Sequence, residues 1–359
     1  MQTLVVIARR FLGATSRFSP PAVLAAGSKL HPPSLLKSQR SFSTSEEDGT
    51  RTGQWSSLER NVANYVPLSP LSFLRRAERV YPNSVSIVHG TKTFTWQETA
   101  RRSRMLAAAI TSLGVKPGGT VAVVASNTPE MCELHWAVPM TGAILNCINT
   151  RLDAASMTFM LKHGNAQLLF VDTEFAATVK EAVAAAGRPI TVVDIVDSEA
   201  DASTDKTRQG AWEYEALLTH SKASGSVEGM AAAMPFDEFD AIALNYTSGT
   251  TGVPKGVVTS HRGAYLTALG QALYWDMGPS PTYLWTLPMF HANGWGFPWA
   301  VCLLGGTNVC LRKVTAKGVF DAIAKHDVTH LCAAPVVLNT LADAPAEARP
   351  AGPPARKVR

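Results

Sequence analysis

Hydroxyl side chains, glycines and one lysine are concentrated in a single stretch of this 359-residue chain. The stretch runs from Tyr246 to Gly256 and lies between the apolar segments 241–244 and 257–258. Glycines allow backbone N–H groups to turn inward, hydroxyls donate to phosphate oxygens, and a lysine adds a compact positive charge. This strand–loop–strand pattern predicts an enzyme with a site for the phosphates of a nucleotide. The residues expected at the phosphates are Thr247, Ser248, Gly249, Thr250, Thr251, Gly252 and Lys255.

The loop is not a Walker A motif, which requires Gly directly before the lysine and Ser or Thr directly after it. Here Pro254 precedes Lys255, and Gly256 follows it. The simpler interpretation is a polar surface turn, because Ser, Thr and Gly are common in loops. A turn needs only about four residues. The longer run, at a fixed distance from Lys255, therefore favours phosphate binding.

A second cluster, between Pro288 and Trp299, combines one imidazole with several large aromatic rings. Such a composition suits a pocket that is apolar apart from a few polar groups. A histidine beside aromatic rings is also common in a protein core, so the residue types alone leave both interpretations open. The residues expected to line a substrate pocket are His291, Asn293, Gly294 and Trp295.

The segment from Tyr246 to Gly256, continuing through 257–262, resembles the signature loop of the AMP-forming, adenylate-forming enzymes, which include acyl-CoA synthetases. The resemblance implies that the loop holds the β- and γ-phosphates of ATP while a carboxylate attacks the α-phosphorus. An acyl-adenylate then forms and pyrophosphate leaves. It also implies that Lys255 is catalytic, because a lysine there can neutralise charge on the leaving pyrophosphate.

The second cluster is similar to the carboxylate-substrate motif of the same family, which implies a catalytic position for His291 beside the reacting carboxyl group. Its residue pattern most resembles that of the short- and medium-chain acyl-activating enzymes of plants. The resemblance further implies a carboxylic acid, ATP and coenzyme A as small-molecule partners, with Mg²⁺ as cofactor. No metal ligand is assigned, and the oligomeric state is left open.

Weaker motifs, which follow one another in the same order as in the family, extend the resemblance from about Tyr65 to about Asn339. Other family motifs are not found: a Tyr-Gly-x-Thr-Glu-like stretch, the ribose aspartate, the hinge arginine and the lysine of a small C-terminal domain. We therefore expect residues 65–343 to be a partial N-terminal AMP-binding domain, with the C-terminal domain absent. Residues 344–359, rich in Pro, Ala and Arg, are expected to be a disordered tail.

Two other interpretations stay open. The chain can be a catalytically inactive family fragment that acts only through binding or association. It can also be an adenylating enzyme whose acceptor is not coenzyme A.

Alternating apolar and helical patterns predict an α/β fold with mainly parallel sheets and flanking helices. Residues 196–235 are expected to be a surface excursion with one short helix at 212–218. The predicted helices are 71–80, 96–113, one after Thr128, 174–186, 263–275, 295–304 and 316–326. The predicted strands are 121–124, 144–148, 168–171, 190–195, the two apolar segments beside the loop, 282–286, 308–311 and 328–332.

With 46% hydrophobic residues the chain can bury a sizeable core, and no apolar run reaches the ~18 residues of a membrane-spanning helix. The formal charge of +5 comes from residues 1–45, which hold six Lys and Arg and no acidic residue. Of the 33 Lys and Arg, 27 remain beyond that segment, against 28 Asp and Glu. A net charge of −1 argues against a nucleic-acid partner.

The same basic, Ser-rich segment 1–45 predicts a transit peptide, followed by a linker at 46–64. We expect a mitochondrial location, with plastid or peroxisome as alternatives. The five cysteines are widely spaced in apolar surroundings and are expected to be buried free thiols.

Overall fold

Two sheets and ten helices lie within the part of the chain that the computed structural model describes, which comprises residues 61, 63–201, 204, 207–223, 237–247, 253–349, 352 and 357–359. The helices are α1 (Leu71–Val80), α2 (Trp96–Ser112), α3 (Pro129–Met140), α4 (Ala154–His163), α5 (Ala176–Ala185), α6 (Tyr214–Ala223), α7 (His261–Tyr274), α8 (Phe297–Leu303), α9 (Ala316–His326) and α10 (Pro335–Ala342). The strands are β1 (Val85–His89), β2 (Lys92–Thr95), β3 (Thr120–Val124), β4 (Ile144–Cys147), β5 (Ala166–Asp172), β6 (Thr191–Ile195), β7 (Trp212–Glu213), β8 (Ala241–Thr247), β9 (Lys255–Ser260), β10 (Thr282–Trp285), β11 (Thr307–Cys310) and β12 (His330–Leu331).

Seven strands form one sheet in the order β7-β6-β5-β3-β4-β8-β9, and five form another in the order β12-β10-β11-β1-β2. Every pairing is parallel except for the hairpins β8–β9 and β1–β2. Parallel strands buried on both faces are made of continuous apolar residues, as in β3, where all five residues are buried. The predicted α/β fold with mainly parallel sheets is confirmed.

Helix α3 lies between the sheets, contacting β4 of one and β1 of the other. All of its residues are buried, which explains its apolar composition on every side. Its beginning is as predicted, because the Thr128 side chain accepts a hydrogen bond from Met131 N and Pro129 occupies the first helical position. Burying one large apolar side chain stabilises the fold by about 1.5–3 kcal/mol.

A buried ion cluster joins the two sheets where their strands end. Arg312, after β11, contacts Asp172 at the end of β5 at 2.8 Å and Asp197, after β6, at 3.0 Å. His89 at the end of β1 also reaches Asp197, at 2.8 Å. Burial opposes ionisation of Asp197, but the hydrogen bond from His89 and the charge of Arg312 lower its pKa. The cluster therefore holds both sets of strand ends in one place.

Most of the predicted helices and strands are present, and the bounds of α1 and α9 match the prediction. The prediction missed the hairpin β1–β2 and the helices α4 and α10. The short helix predicted at 212–218 is present as α6, but the part of 196–235 that contains β7 and α6 packs on the domain and is not a surface excursion. Strand β7 extends the seven-stranded sheet, and α6, whose Leu217 and Leu218 are buried, packs on α2.

Several predictions fall partly or wholly outside the described residues. These include the transit peptide at 1–45 and all of the linker at 46–64 apart from residues 61, 63 and 64. In the expected disordered tail, residues 346–348 form a 3-10 turn. Arg359 N donates to Thr329 O at 2.8 Å, and Leu331 N donates to Arg359 O at 3.1 Å. Arg359 therefore contacts β12 at Leu331 and the residue directly before this strand, Thr329.

Four of the five cysteines are buried and Cys332 is half-buried, all as free thiols. The expectation of buried free thiols is thus confirmed for four of them. In the described part of the chain, no helix combines the length and the apolar character needed to cross a membrane.

Candidate active site

The β8–β9 hairpin carries the two described ends of the expected phosphate loop. Thr247, at the end of β8, is opposite Lys255, at the start of β9, in the antiparallel register. Both residues are exposed, as donors to a bound anion must be. The loop residues between them that were expected at the phosphates, Ser248, Gly249, Thr250, Thr251 and Gly252, lie outside the described residues.

The chain directly before the loop is held by an aromatic contact with α4. The Tyr246 hydroxyl and His163 Nδ1 share a hydrogen bond of 2.9 Å. The His163 ring is stacked on Phe159, with centroids 5.3 Å apart. Gly164 ends α4 here, and a Cβ on this residue would lie 3.1 Å from the Tyr246 hydroxyl. Sequence reasoning did not identify this anchor.

The second cluster forms a turn with left-handed backbone. Ala292, Asn293 and Trp295 have φ of 48°, 52° and 57°, and Gly294 between them has φ of 58°. Such a conformation costs about 1–2 kcal/mol for each non-glycine residue. Runs of this kind persist where surrounding contacts determine them, and they cluster at functional sites. We name residues 291–296 the left-handed turn.

The left-handed turn gathers the four residues that were expected to line a substrate pocket. His291 and Trp295 are exposed, with ring centroids 5.6 Å apart. Asn293 points inward, where its amide nitrogen lies 3.7 Å from Cys147 Sγ at the end of β4. Gly294 is pressed against Trp285, since a Cβ there would lie 2.6 Å from the indole. The turn also contacts β8 and α7. Both expected sites therefore lie at the edge of the seven-stranded sheet where β4 and β8 end.

A cavity of about 180 Å³ opens between the left-handed turn, α7 and β9. Its lining contains Asn293 and Trp295, as expected, but not His291 or Gly294. The other lining residues are Thr259, Ala264, Thr267, Gln271, Ala292, Gly296 and Trp299. Sequence reasoning missed Thr267 and Gln271, although their spacing of four places both on one face of α7. Gln271 Nε2 also donates to Trp295 O at 3.3 Å, which ties α7 to the turn.

Burial controls the protonation of the groups behind the site. It raises the pKa of the Cys147 thiol, so this residue packs as a neutral thiol. It lowers the pKa of His261, the first residue of α7, to about 4, so the imidazole is neutral near pH 7. Among the described residues, no group of three or more His, Cys, Asp or Glu is arranged to hold a metal ion.

This arrangement offers an exposed lysine and hydroxyl at the two described ends of the expected phosphate loop. The same hairpin adjoins a small cavity that is lined by aromatic rings and a few polar groups. An exposed imidazole lies at the same edge. These groups suit a reaction in which a small organic acid meets a phosphate ester. Lys255 and the cavity share strand β9, because Thr259, four residues after Lys255, lines the cavity.

Comparisons with known proteins match this arrangement. The family model of AMP-binding enzymes matches residues 74–358. The acetate–CoA ligase of Humulus lupulus is 46% identical over 299 residues, which cover 81% of this chain and 52% of the relative. The peroxisomal acetate/butyrate–CoA ligase of Arabidopsis thaliana is also 46% identical, with the same coverage. The chain thus spans about half the length of these curated relatives.

Solved structures share the fold. The N-terminal domain of FACL13 from Mycobacterium tuberculosis, determined with an inhibitor bound, superposes with a TM-score of 0.63 at 26% identity. The match covers 77% of this chain and 65% of that one. A structure named as a long-chain-fatty-acid CoA ligase, from Rhodopseudomonas palustris, gives a TM-score of 0.65 at 22% identity, covering 79% of this chain and 67% of that one.

Proposed function

Because this chain belongs to the family of AMP-binding enzymes, we propose that it takes part in the ATP-dependent activation of a short-chain carboxylic acid to its CoA thioester. In the first step a carboxylate oxygen attacks the α-phosphorus of ATP. The new bond gives the acyl-adenylate, and the bond to the β-phosphate breaks, with pyrophosphate taking the electron pair. In the second step the thiol sulfur of coenzyme A attacks the acyl carbonyl, and AMP leaves.

The observation that carries this proposal is the small cavity beside the β8–β9 hairpin. Its lining combines the aromatic rings of Trp295 and Trp299 with the polar groups of Thr267, Gln271 and Asn293, which suits a small organic acid. Trp295 is 43% exposed, so its ring is available to a ligand at the cavity mouth. Relatives named as acetate–, butyrate– and acetate/butyrate–CoA ligases support the same choice of substrate.

We assign the charge-handling roles to Lys255 and His291. The Lys255 ammonium, at the start of β9, neutralises charge that develops on the leaving pyrophosphate. His291, exposed at the left-handed turn, orients the carboxylate by hydrogen bonding. Thr247 and the loop residues 248–252 donate to the phosphates.

Magnesium is the expected partner of ATP in this chemistry. The described residues hold no cluster of His, Cys, Asp or Glu that fits a cation.

The test is pyrophosphate release by the purified chain with ATP and a series of linear acids from acetate to decanoate. We expect release with the shortest acids and a loss of at least about 100-fold in Lys255→Ala, as for the removal of one oxyanion donor. Lys325→Ala, on the exposed side of α9, is the matched control and should not change the rate. If release stays at background and Lys255→Ala changes nothing, this chain is not catalytic. ATP binding measured by calorimetry then decides whether it acts as a binding protein.

We further propose a peroxisomal location. Five of the relatives carry that word in their names, including the benzoate–CoA ligase and the butyrate–CoA ligase of Arabidopsis thaliana. The mitochondrial prediction finds no such support. Fractionation of cells that express the untagged chain, followed by detection with an antibody, tests the choice. Co-sedimentation with a mitochondrial marker instead of catalase would restore the original prediction.

A further inference from the structure

Asn127 lies at the carboxyl end of β3, between the two sheets. It precedes Thr128, the N-cap of α3, and only 7% of its surface is exposed. A buried primary amide must find partners for two donors and an acceptor, or it destabilises the fold. Its partners therefore indicate what the side chain is there to hold.

All three partners are backbone groups of the segment that leads from β10 to the left-handed turn. The Asn127 amide nitrogen donates to Trp285 O at 3.2 Å and to Leu287 O at 2.9 Å. Its carbonyl oxygen accepts from Met289 N at 2.8 Å. The pattern is specific to an amide, because a carboxylate in its place would set an oxygen against two carbonyls.

The segment thus held ends two residues before His291. Met289 is fully buried, with its sulfur 3.6 Å from Cys132 Sγ on α3. His291 N donates to Pro288 O at 3.2 Å, so the backbone at His291 follows directly from the clamped segment. The next four residues have positive φ, a conformation that must be imposed by contacts around it.

We propose that Asn127 is the positioning residue of this site: it fixes the Trp285–Met289 backbone and thereby sets the place of the His291 imidazole and the entry to the left-handed turn. Asn127 does not touch the substrate and acts through the backbone alone. The catalytic consequence rests on the proposed function, whereas the clamp itself does not. The test therefore needs one measurement of each.

The clamp is tested by hydrogen–deuterium exchange of the full chain, comparing wild type with Asn127→Ala and Asn127→Asp. Both variants should exchange faster at residues 286–297, by roughly 2- to 10-fold for each net hydrogen bond lost. Exchange in β5 and α5 should stay unchanged. Ser221→Ala is the matched control, since it removes a different buried hydrogen bond, from Ser221 Oγ to Met105 O at 2.9 Å. Equal exchange at 286–297 in Asn127→Ala and wild type would overturn the clamp. So would the same acceleration in Ser221→Ala.

The catalytic consequence is tested by steady-state pyrophosphate release. A displacement of about 1 Å in a reacting group can cost about 100-fold in rate. We expect kcat in Asn127→Ala to fall by that order while the KM for ATP changes less than about twofold, because the phosphate loop is held elsewhere. A loss that falls on the KM for ATP, with kcat unchanged, would overturn the positioning role. If wild type itself releases no pyrophosphate, the proposed function fails, and the exchange measurement still decides on the clamp.

Discussion

Tyr246 and His163 share a hydrogen bond of 2.9 Å that joins the residue directly before the phosphate loop to the last residue of α4. Tyr246 is at the end of β8, and the two rings meet edge to face with centroids 5.6 Å apart. Phe159, one turn earlier on α4, stacks on His163 and also meets the Tyr246 ring edge to face, with centroids 6.3 Å apart. The loop thus leaves the sheet from a fixed point, which reduces the conformational entropy lost when a phosphate binds.

Removing this hydrogen bond should weaken ATP binding. In Tyr246→Phe the ring and its packing are kept, but the hydroxyl that meets His163 is lost. A net hydrogen bond contributes about 0.5–1.5 kcal/mol, so we expect a loss of affinity of roughly 2- to 10-fold in calorimetric titration. Tyr274→Phe is the control, because Tyr274 is 91% exposed at the end of α7. An unchanged affinity in Tyr246→Phe would show that the anchor does not order the loop.

In the left-handed turn, introducing a glycine and removing one should change the free energy of unfolding in opposite directions. Ala292 has φ of 48°, so Ala292→Gly relieves strain and should raise the free energy of unfolding by about 1 kcal/mol. Gly294→Ala places a methyl group 2.6 Å from the Trp285 ring and should lower it by about 1–3 kcal/mol. Chemical denaturation measures both. If the two variants shift stability in the same direction, the backbone of this turn is not left-handed.

Much of the fold follows from local sequence. Thr128 and Pro129 mark the beginning of α3, as N-cap and first helical residue. The apolar residues of β3 identify a strand that is buried on both faces. The hairpin β1–β2 was missed because its strands are short, with Lys92 and Thr95 interrupting the apolar pattern. Local patterns of this kind do not reveal pairings between distant strands.

In the candidate site, too, local residue patterns could be predicted from the sequence, whereas contacts between distant residues could not. The loop and the aromatic cluster were visible because their residue types are concentrated over a few positions. Asn127 and His163 were not assigned to the site, since each acts through a partner more than 80 residues away in the chain. The left-handed backbone at Ala292 and Trp295 could not be predicted either, because residues other than glycine rarely adopt it. Tertiary contacts impose it.

Replacing each of two arginines of α2 should lower the free energy of unfolding by different amounts, because only one of them belongs to a buried ion pair. Arg102 Nε lies 2.5 Å from Glu133 Oε1, and the Glu133 side chain is fully buried. Arg104 pairs with Glu78 at 2.7 Å, with both side chains about a quarter exposed. Arg102→Met leaves Glu133 without its cation and should lower the free energy of unfolding by about 3–5 kcal/mol. Arg104→Met should cost about 1 kcal/mol or less.

The pH dependence of the stability of Arg102→Met distinguishes the effect of the unpaired Glu133 charge from a simple loss of packing. Burial raises the pKa of Glu133 to about 6, against the opposing charge of Arg102. Without Arg102 that pKa rises further, so the folded state holds its proton while the unfolded state releases it. The deficit of Arg102→Met should therefore widen as pH rises above about 6. A deficit that is constant from pH 4 to 8 would contradict the role of the charge.

His261 should make the protein sensitive to acid. Its Nδ1 lies 2.9 Å from Ser69 Oγ, and burial lowers its pKa to about 4, although Asp240 favours the charged form. Between pH 6.5 and 4 the unfolded state binds a proton that the folded state does not, so stability falls as the pH falls. The fall from this group amounts to about 2 kcal/mol between pH 7 and pH 5.

His261→Asn tests this acid sensitivity, because asparagine can keep the hydrogen bond to Ser69 and cannot be protonated. The variant should lose about 2 kcal/mol less than wild type between pH 7 and pH 5 in urea denaturation. His135, fully buried with its pKa also lowered to about 4 by burial, contributes in the same direction. A second replacement there should flatten the profile further. His220→Asn, at an exposed position on α6, is the control that should leave the wild-type slope in place. If His261→Asn keeps that slope as well, His261 binds its proton equally in the folded and unfolded states, and its burial does not cause the acid sensitivity.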